Sequence, residues 1–469
     1  MSNSDFIRRA FCNSTLSPAA RRGANHVLSL SLAAILLTAG PAVAADEFMT
    51  NHFVFGPSPA AEDGAISVTT ETKYDPKVGY GFEGDAAPKL VARSNGPDAG
   101  RTFVTADGPL LFSVRVPEGN YRVRLRLGDA EAESDTTVKA ETRRVMLAPV
   151  RLGKGETTTV ECLVNVRTDK IDEQTSVKLN DREKNPAVRH WDDKLTLEFC
   201  GKHVAVSDLV IEKVTDATTI FLAGDSTVTD QGHEPWAAWG QWLPQFFGPK
   251  VAVANYGESG RTLRSFKGDL RWAKLISQVK PGDYVFIQFG HNDMKEQGDG
   301  VGPFTSFSAS LRTYIADVRG KGATPVVMTP MHRRRFDNDG KIQDTFGEYP
   351  AAIRKVAEDE KVALIDLQAM SKPLYEAMGP EKSKLMFVHF PANSFAGQDK
   401  ALRDDTHFRG FGADQIARCV LQGIRDAQLP VASEIREGVP TFDPSKPGDP
   451  DAYDVPPSAA GMLVVPEGR

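Results

Sequence analysis

The sequence predicts an α/β fold in which a parallel, three-layer sheet domain follows an N-terminal β-sandwich. Two observations carry this expectation. Before Asp216 the apolar residues recur with a period of two in short runs; after it, unalternating apolar runs are interleaved with helical stretches. Residues 1–45 read as a signal peptide: Arg8, Arg9, Arg21 and Arg22 lead, the apolar run Val27 to Ala39 follows, and Ala42-Val43-Ala44 suits a signal peptidase. The run is too short for a membrane span and no comparable run follows, so an exported chain, periplasmic or extracellular, is expected.

Residues 46–215 supply the accessory sandwich. Tyr121, Val123, Leu125 and Leu127 alternate with Arg122, Arg124 and Arg126, as a half-buried strand requires. Similar runs occur from His52 to Phe55, Thr158 to Val166, Leu195 to Phe199 and Leu209 to Val214. No aromatic row stands out among them, which favours a domain that braces its neighbour over one that binds glycan. Residues 216–428 form the second domain. Thr219 to Leu222, Val251 to Asn255, Tyr284 to Phe289, Pro325 to Thr329 and Ala363 to Ile365 fit strands buried on both faces. Helices are expected around Trp236 to Phe247, Leu270 to Val279, Leu311 to Arg319, Tyr349 to Glu360 and Ala413 to Asp426. Residues 429–469, with Pro440, Pro444, Pro447, Pro450, Pro456 and Pro457, read as an extended, disordered tail.

Composition excludes more than it selects. The 469 residues, 41% hydrophobic and 25% charged, suit a globular protein, and a net charge of -6 lacks the basic footprint of a nucleic-acid binder. Outside the signal, Cys162, Cys200 and Cys419 cannot form a complete disulfide set. The simpler reading makes them buried apolar residues; a Cys162–Cys200 bridge after export is the alternative. The nine histidines show no metal-ligand spacing, so no metal and no cofactor is expected.

Parallel sheets place their sites beyond the carboxyl ends of the strands. There the sequence reads Gly224-Asp225-Ser226-Thr227, Gly257-Glu258-Ser259-Gly260-Arg261 and Gly290-His291-Asn292-Asp293, and Asp404-Asp405-Thr406-His407 precedes the last helix. These residue types suit acyl transfer. Ser226 can attack if a base takes its proton, His407 exchanges protons near neutral pH, and Asp404, three residues before it on one face of a turn leading into the last helix, can hold the imidazole. The backbone N–H groups of Ser226 and Gly260 and the amide of Asn292 can serve an oxyanion. Taken singly, each has a plainer reading: Gly-Asp-Ser as a helix entry, Asn292 as a loop amide, the Asp404 to His407 segment as a cap. Their joint order after successive strands favours catalysis. The Gly-x-Ser-x-Gly elbow of α/β-hydrolases is absent.

These blocks resemble those of the SGNH (GDSL-like) hydrolases. Phe221-Leu222-Ala223 before the first block, Ser259-Gly260-Arg261, and Thr329-Pro330-Met331-His332-Arg333-Arg334 narrow the resemblance to rhamnogalacturonan acetylesterases. The resemblance implies a flavodoxin-like three-layer domain, a Ser226, Asp404 and His407 triad, and an oxyanion hole from Ser226, Gly260 and Asn292. Phe53-Val54-Phe55-Gly56 and Gly79-Tyr80-Gly81-Phe82 are similar to the galactose-binding-like sandwich before the catalytic domain in some bacterial members. Asp414-Gln415 departs from the aromatic-acidic pair commoner there. The expected substrate is an acetylated plant-type polysaccharide or oligosaccharide, deacetylated by a monomer with no nucleic-acid partner. Rival readings are a GDSL-type esterase or lipase on other acyl esters, an acetyl xylan esterase, and a non-catalytic carbohydrate-binding protein. His332 to Arg335 reads as a solvated loop or a carboxylate-binding patch, and Trp236, Trp239 and Trp242 as largely core.

Overall fold

The structure is a computed structural model that describes residues 50–56, 64–95, 100–185 and 188–459. The expected signal peptide, residues 1–45, lies outside the described residues. Among the described residues, no helix is long and apolar enough to cross a membrane.

Among the described residues, twelve strands precede Asp216: β1 (Asn51–Phe55), β2 (Ile66–Val68), β3 (Tyr80–Glu83), β4 (Lys89–Ala92), β5 (Thr102–Thr105), β6 (Leu110–Arg115), β7 (Gly119–Gly128), β8 (Ser134–Ala140), β9 (Arg144–Leu152), β10 (Thr157–Val166), β11 (Lys194–His203) and β12 (Val206–Val214). One sheet runs β10-β7-β12-β1-β2, with β5 joining β12 and β4 joining β5; the other runs β3-β6-β11-β8-β9. The alternation read in β7 is real: Tyr121, Val123, Leu125 and Leu127 enter one apolar cluster with Phe112, Leu197 and Phe199 of the other sheet. β8 escapes the hydrophobic pattern because Ser134, Thr136, Thr137 and Lys139 are buried without being apolar. Cys162 lies on β10 of one sheet and Cys200 on β11 of the other, and both are free thiols, so the alternative bridge is not formed. Burial pushes both thiols up to about 12.

The second sheet system is wholly parallel, in the order β14-β13-β15-β16-β17. Its members are β13 (Thr218–Gly224), β14 (Val251–Asn255), β15 (Tyr284–Gln288), β16 (Thr324–Met328) and β17 (Ala363–Ile365). Successive residues feed opposite cores. Ile220, Leu222, Val253, Phe286, Val326 and Met328 pack with α1 (Trp239–Trp242), α6 (Leu367–Lys382) and α7 (Gly410–Asp426). Phe221, Ala223, Ala254, Ile287 and Val327 pack with α2 (Leu263–Gly268), α3 (Arg271–Gln278), α4 (Ser308–Gly320) and α5 (Tyr349–Glu360). Burial on both faces is why these strands read as unbroken apolar runs.

One helical expectation changes, and one long helix lies outside the expected set. The stretch from Trp236 to Phe247 holds only the four-residue α1 and a 3-10 turn, Pro244–Phe246, because Pro244 lacks the N–H that would continue the helix. Helix α6 was hidden by Pro373 and Pro380, and it kinks where Gly379 takes φ 70°.

The Pro-rich segment carries the 3-10 turns Pro430–Glu434 and Pro450–Ala452 and, as far as residue 459, is held against the fold rather than free. Arg425 donates to the carbonyls of Pro440 (2.8 Å) and Val439 (2.8 Å), and the Gly448 N–H donates to Gln415 (2.8 Å). Farther on, Trp242 Nε1 donates to Tyr453 Oη (2.9 Å), and Lys139 of β8 donates to the Pro456 carbonyl (2.7 Å). Proline denies the segment a ladder of its own but leaves its carbonyls open, and side chains of both modules take them up.

The β8–β9 hairpin tip joins the modules. Glu141 and Arg143 adopt φ 56° and 61°, and the tip is buried against the loop that follows β13. Arg143 donates to the carbonyls of Gln231 (3.0 Å) and Trp236 (2.9 Å), and Gln241 donates to Thr142 O (2.9 Å). Arg144 donates to Val253 O (3.1 Å) and Asn165 O (2.9 Å) and faces Asp230 at 3.3 Å.

Candidate active site

The strand order reverses direction between β13 and β15, and the loops that leave these two strands carry Ser226 and Asn292. Gly224 ends β13 because there is no room for a side chain: an added Cβ would meet Val228 Cγ2 at 2.4 Å and Gln288 O at 3.0 Å. Asp225 then fixes the turn, its Oδ1 accepting from the Thr227 N–H (2.9 Å) and hydroxyl (2.8 Å). Its Oδ2 faces His291 Nδ1 at 3.3 Å. Burial opposes charge on Asp225, but His291 and the Thr227 donors outweigh it and hold the carboxyl below its ordinary range.

His407 Nε2 lies 2.8 Å from Ser226 Oγ, and its Nδ1 lies 2.9 Å from Asp404 Oδ2. With Asp404 accepting the Nδ1 proton, Nε2 keeps its lone pair and accepts from the serine hydroxyl. Asp404 Oδ1 also accepts from the backbone N–H groups of Thr406 (3.0 Å) and His407 (3.1 Å), and Trp236 Nε1 approaches Oδ2 at 3.4 Å. Burial raises the Asp404 carboxyl, yet these donors, His407 foremost, bring it below the usual range.

The local structure that pairs Asp404 with His407 is not a helical turn. Both lie on β19 (Leu402–Phe408), paired with β18 (Phe387–Phe390). Val388 pairs with Asp404 and Phe387 with Phe408, so β19 advances four residues while β18 advances one. That bulge brings residues three apart to the same side, where a regular strand would oppose them. Asp405 points elsewhere, half exposed, to Arg334 Nη1 (2.6 Å) and His389 Nε2 (2.8 Å).

The three expected oxyanion groups arise from three neighbouring loops. Among the described residues, neither the Ser226 N–H nor the Gly260 N–H has a hydrogen-bond partner. Asn292 accepts from Lys295 Nζ on Oδ1 (3.3 Å) and donates one amide hydrogen to Arg261 O (3.2 Å), leaving the other available. Asp293 ties two of the loops together: its carboxylate accepts from the N–H groups of Leu263 (2.9 Å) and Gly290 (2.9 Å). Burial lifts that carboxyl to about 7. Asn292→Ala should therefore lower kcat by on the order of a hundred- to a thousand-fold with KM little changed, measured on a soluble acetyl ester. A change confined to KM would make Asn292 a substrate-binding residue.

Sequence reasoning quoted Asp225 and His291 only as neighbours of Ser226 and Asn292, although their buried pairing underpins both loops. It also overlooked Glu183 and His190, which join Glu258 in a cluster, one ligand atom of each lying within 4.8 Å of the others. Arg271 Nη1 already pairs with Glu183 (2.8 Å) and Arg182 with Glu258, so the two carboxylates are neutralised by arginines and the cluster fits an ion-pair network better than a cation. Of the His332 to Arg335 run, Arg333 donates to His291 O (3.1 Å) and lies over the Phe346 ring, Arg334 pairs with Asp405, and Arg335 is exposed. Trp236, Trp239 and Trp242 are all buried.

Residues 222–413 match the GDSL-like Lipase/Acylhydrolase family. The rhamnogalacturonan acetylesterase RhgT of Bacillus subtilis is 43% identical over 223 residues, 47% of this chain and 95% of that protein. The uncharacterized esterase YxiM of the same species is 28% identical over 396 residues, 82% of this chain and 92% of its own length. A solved structure of YxiM covers 81% of this chain and 99% of that chain at 26% identity, with a TM-score of 0.41. The chain therefore belongs to the GDSL-like lipase/acylhydrolase family and is an ester hydrolase with the α/β, parallel-sheet fold of SGNH hydrolases.

Proposed function

We propose that this protein hydrolyses O-acetyl esters on rhamnogalacturonan or a related pectic polysaccharide, with Ser226 as nucleophile. The observation that carries the chemistry is the unbroken relay from Asp404 through His407 to Ser226 Oγ, at 2.9 and 2.8 Å. As Ser226 attacks the acetyl carbonyl, its proton passes to His407 Nε2 and Asp404 stabilises the imidazolium. Ser226 N–H, Gly260 N–H and Asn292 Nδ2 bind the oxyanion. Collapse expels the sugar hydroxyl, protonated by His407, and leaves an acetyl-enzyme. Water activated by His407 then releases acetate. The relative RhgT, named for rhamnogalacturonan, favours a pectic substrate over xylan or lipid.

The chain is exported behind a signal at 1–45 and works as a monomer outside the cytoplasm. Its two N-terminal sheets form a β-sandwich that braces the hydrolase domain, a role supported by the buried hairpin tip at Glu141–Arg144. Acetate release from a panel of acetylated pectins, xylans and mannans tests the substrate. Faster release from xylan than from rhamnogalacturonan would replace this reading with an acetyl xylan esterase.

A further inference from the structure

We propose that Arg182, a residue of the N-terminal module, is a positioning residue that sets the direction of the Gly260 N–H. The proposal rests on the reading of Gly260 as an oxyanion donor. Residues Glu258 to Arg261 form a turn closed by the Arg261 N–H on Glu258 O (3.3 Å), and Gly260, its third residue, has φ 74°. That fits a type II turn, whose third position needs positive φ. In such a turn the central peptide stands across the turn plane. Because the peptide is planar and trans, its C=O and N–H point in opposite directions. Whatever holds the Ser259 carbonyl on one side therefore aims the Gly260 N–H to the other.

The anchors are side chains. Arg261 Nη1 donates to Ser259 O (3.2 Å), which fixes the carbonyl side. Arg182 Nη1 donates to Ser259 Oγ (3.1 Å), and its Nη2 forms an ion pair with Glu258. Asn180 Nδ2 adds a bond to the same carboxylate (3.2 Å). Glu258 and Ser259 are 1% and 0% exposed, so solvent cannot replace these partners. A guanidinium is suited to the task because one planar fork reaches the hydroxyl and the carboxylate together. The loop that carries Arg182 lies between β10 and β11 and is itself pinned to the hydrolase module by Glu183 on Arg271 (2.8 Å) and by the Lys178 N–H on Asp269 O (2.9 Å). The N-terminal module thus reaches the reaction through two residues next to Gly260 without touching substrate.

The test uses the full chain and a small aryl acetate, so that it does not depend on which polysaccharide is the substrate. Active sites are counted by the acetyl-enzyme burst. Arg182→Met is expected to lower kcat per active site by roughly ten- to a hundred-fold with KM changed less than about threefold, a partial version of losing one oxyanion donor. Arg182→Lys should recover part of the loss, because an ammonium pairs with Glu258 but cannot span both groups. If Arg182→Met folds poorly, Ser259→Ala removes the hydroxyl that Arg182 holds and should still reduce kcat several-fold. An unchanged kcat per active site in Arg182→Met, or in folded Ser259→Ala, overturns the proposal. A wild type active on the aryl acetate but on no acetylated pectin would instead refute the substrate assignment alone.

Discussion

Ser226→Ala is expected to lower kcat by roughly four to six orders of magnitude while leaving the fold intact. The hydroxyl lies in contact with His407 Nε2 at 2.8 Å and Ser226 is 3% exposed, so removing the hydroxyl vacates a small space and breaks no other bond of the turn. Thr227 still binds Asp225, and Gln231 Nε2 still donates to the Ser226 carbonyl (2.7 Å). Without the proposed nucleophile, the proposed oxyanion donors can assist only direct attack by water. Stopped assays on a soluble acetyl ester, with thermal unfolding as the control for fold, decide the matter. Activity above about a tenth of wild type would remove Ser226 from the mechanism.

Asp404→Asn should cut kcat by about a thousand-fold or more, against about ten-fold at most for Asp405→Asn. The two aspartates are adjacent yet meet different partners. Asp404 is buried, accepts the Nδ1 proton of His407 and receives two backbone N–H groups, so the amide variant offers His407 the wrong tautomer and no charge. Asp405 is 48% exposed at its side chain and pairs with Arg334 and His389, so its replacement disturbs only the surface of the bulge. Both variants measured on one ester separate the roles. A larger loss for Asp405→Asn would transfer the function to that residue.

Much of this arrangement is legible in the sequence. The five strands of the parallel sheet read as apolar runs, and the clusters around Ser226, Gly260 and Asn292 follow the ends of β13, β14 and β15, so local pattern and tertiary placement agree there. The pairing of Asp404 with His407 was expected for a different local reason, a helical turn, whereas the bulge in β19 produces it. A bulge depends on the partner strand's register, which β19's own residues do not encode. For the same reason the ties between modules were invisible. Arg182 and Glu258 are 76 positions apart and look like ordinary surface charges until the fold buries their junction. The Pro-rich segment was misjudged because composition reports whether a stretch can build its own core, not whether another surface will hold it.

The guanidinium of Arg144 has a consequence beyond stability. The carbonyls it takes, Val253 O and Asn165 O, belong to β14 and β10, and each of those strands is the outermost of its sheet. Leu163, Val214, Ala217 and Ala252 seal the gap between them. An outer strand with open peptide groups is a template for another chain, and large sheets need some device to prevent growth. Here each module shields the other's growing edge, and one buried cation caps both. A chain cut near Thr215 would keep its own cores, since those clusters draw almost entirely on later residues, but it would present β14 uncovered. Its characteristic failure would be intermolecular strand addition, visible as concentration-dependent assembly, rather than loss of the parallel sheet.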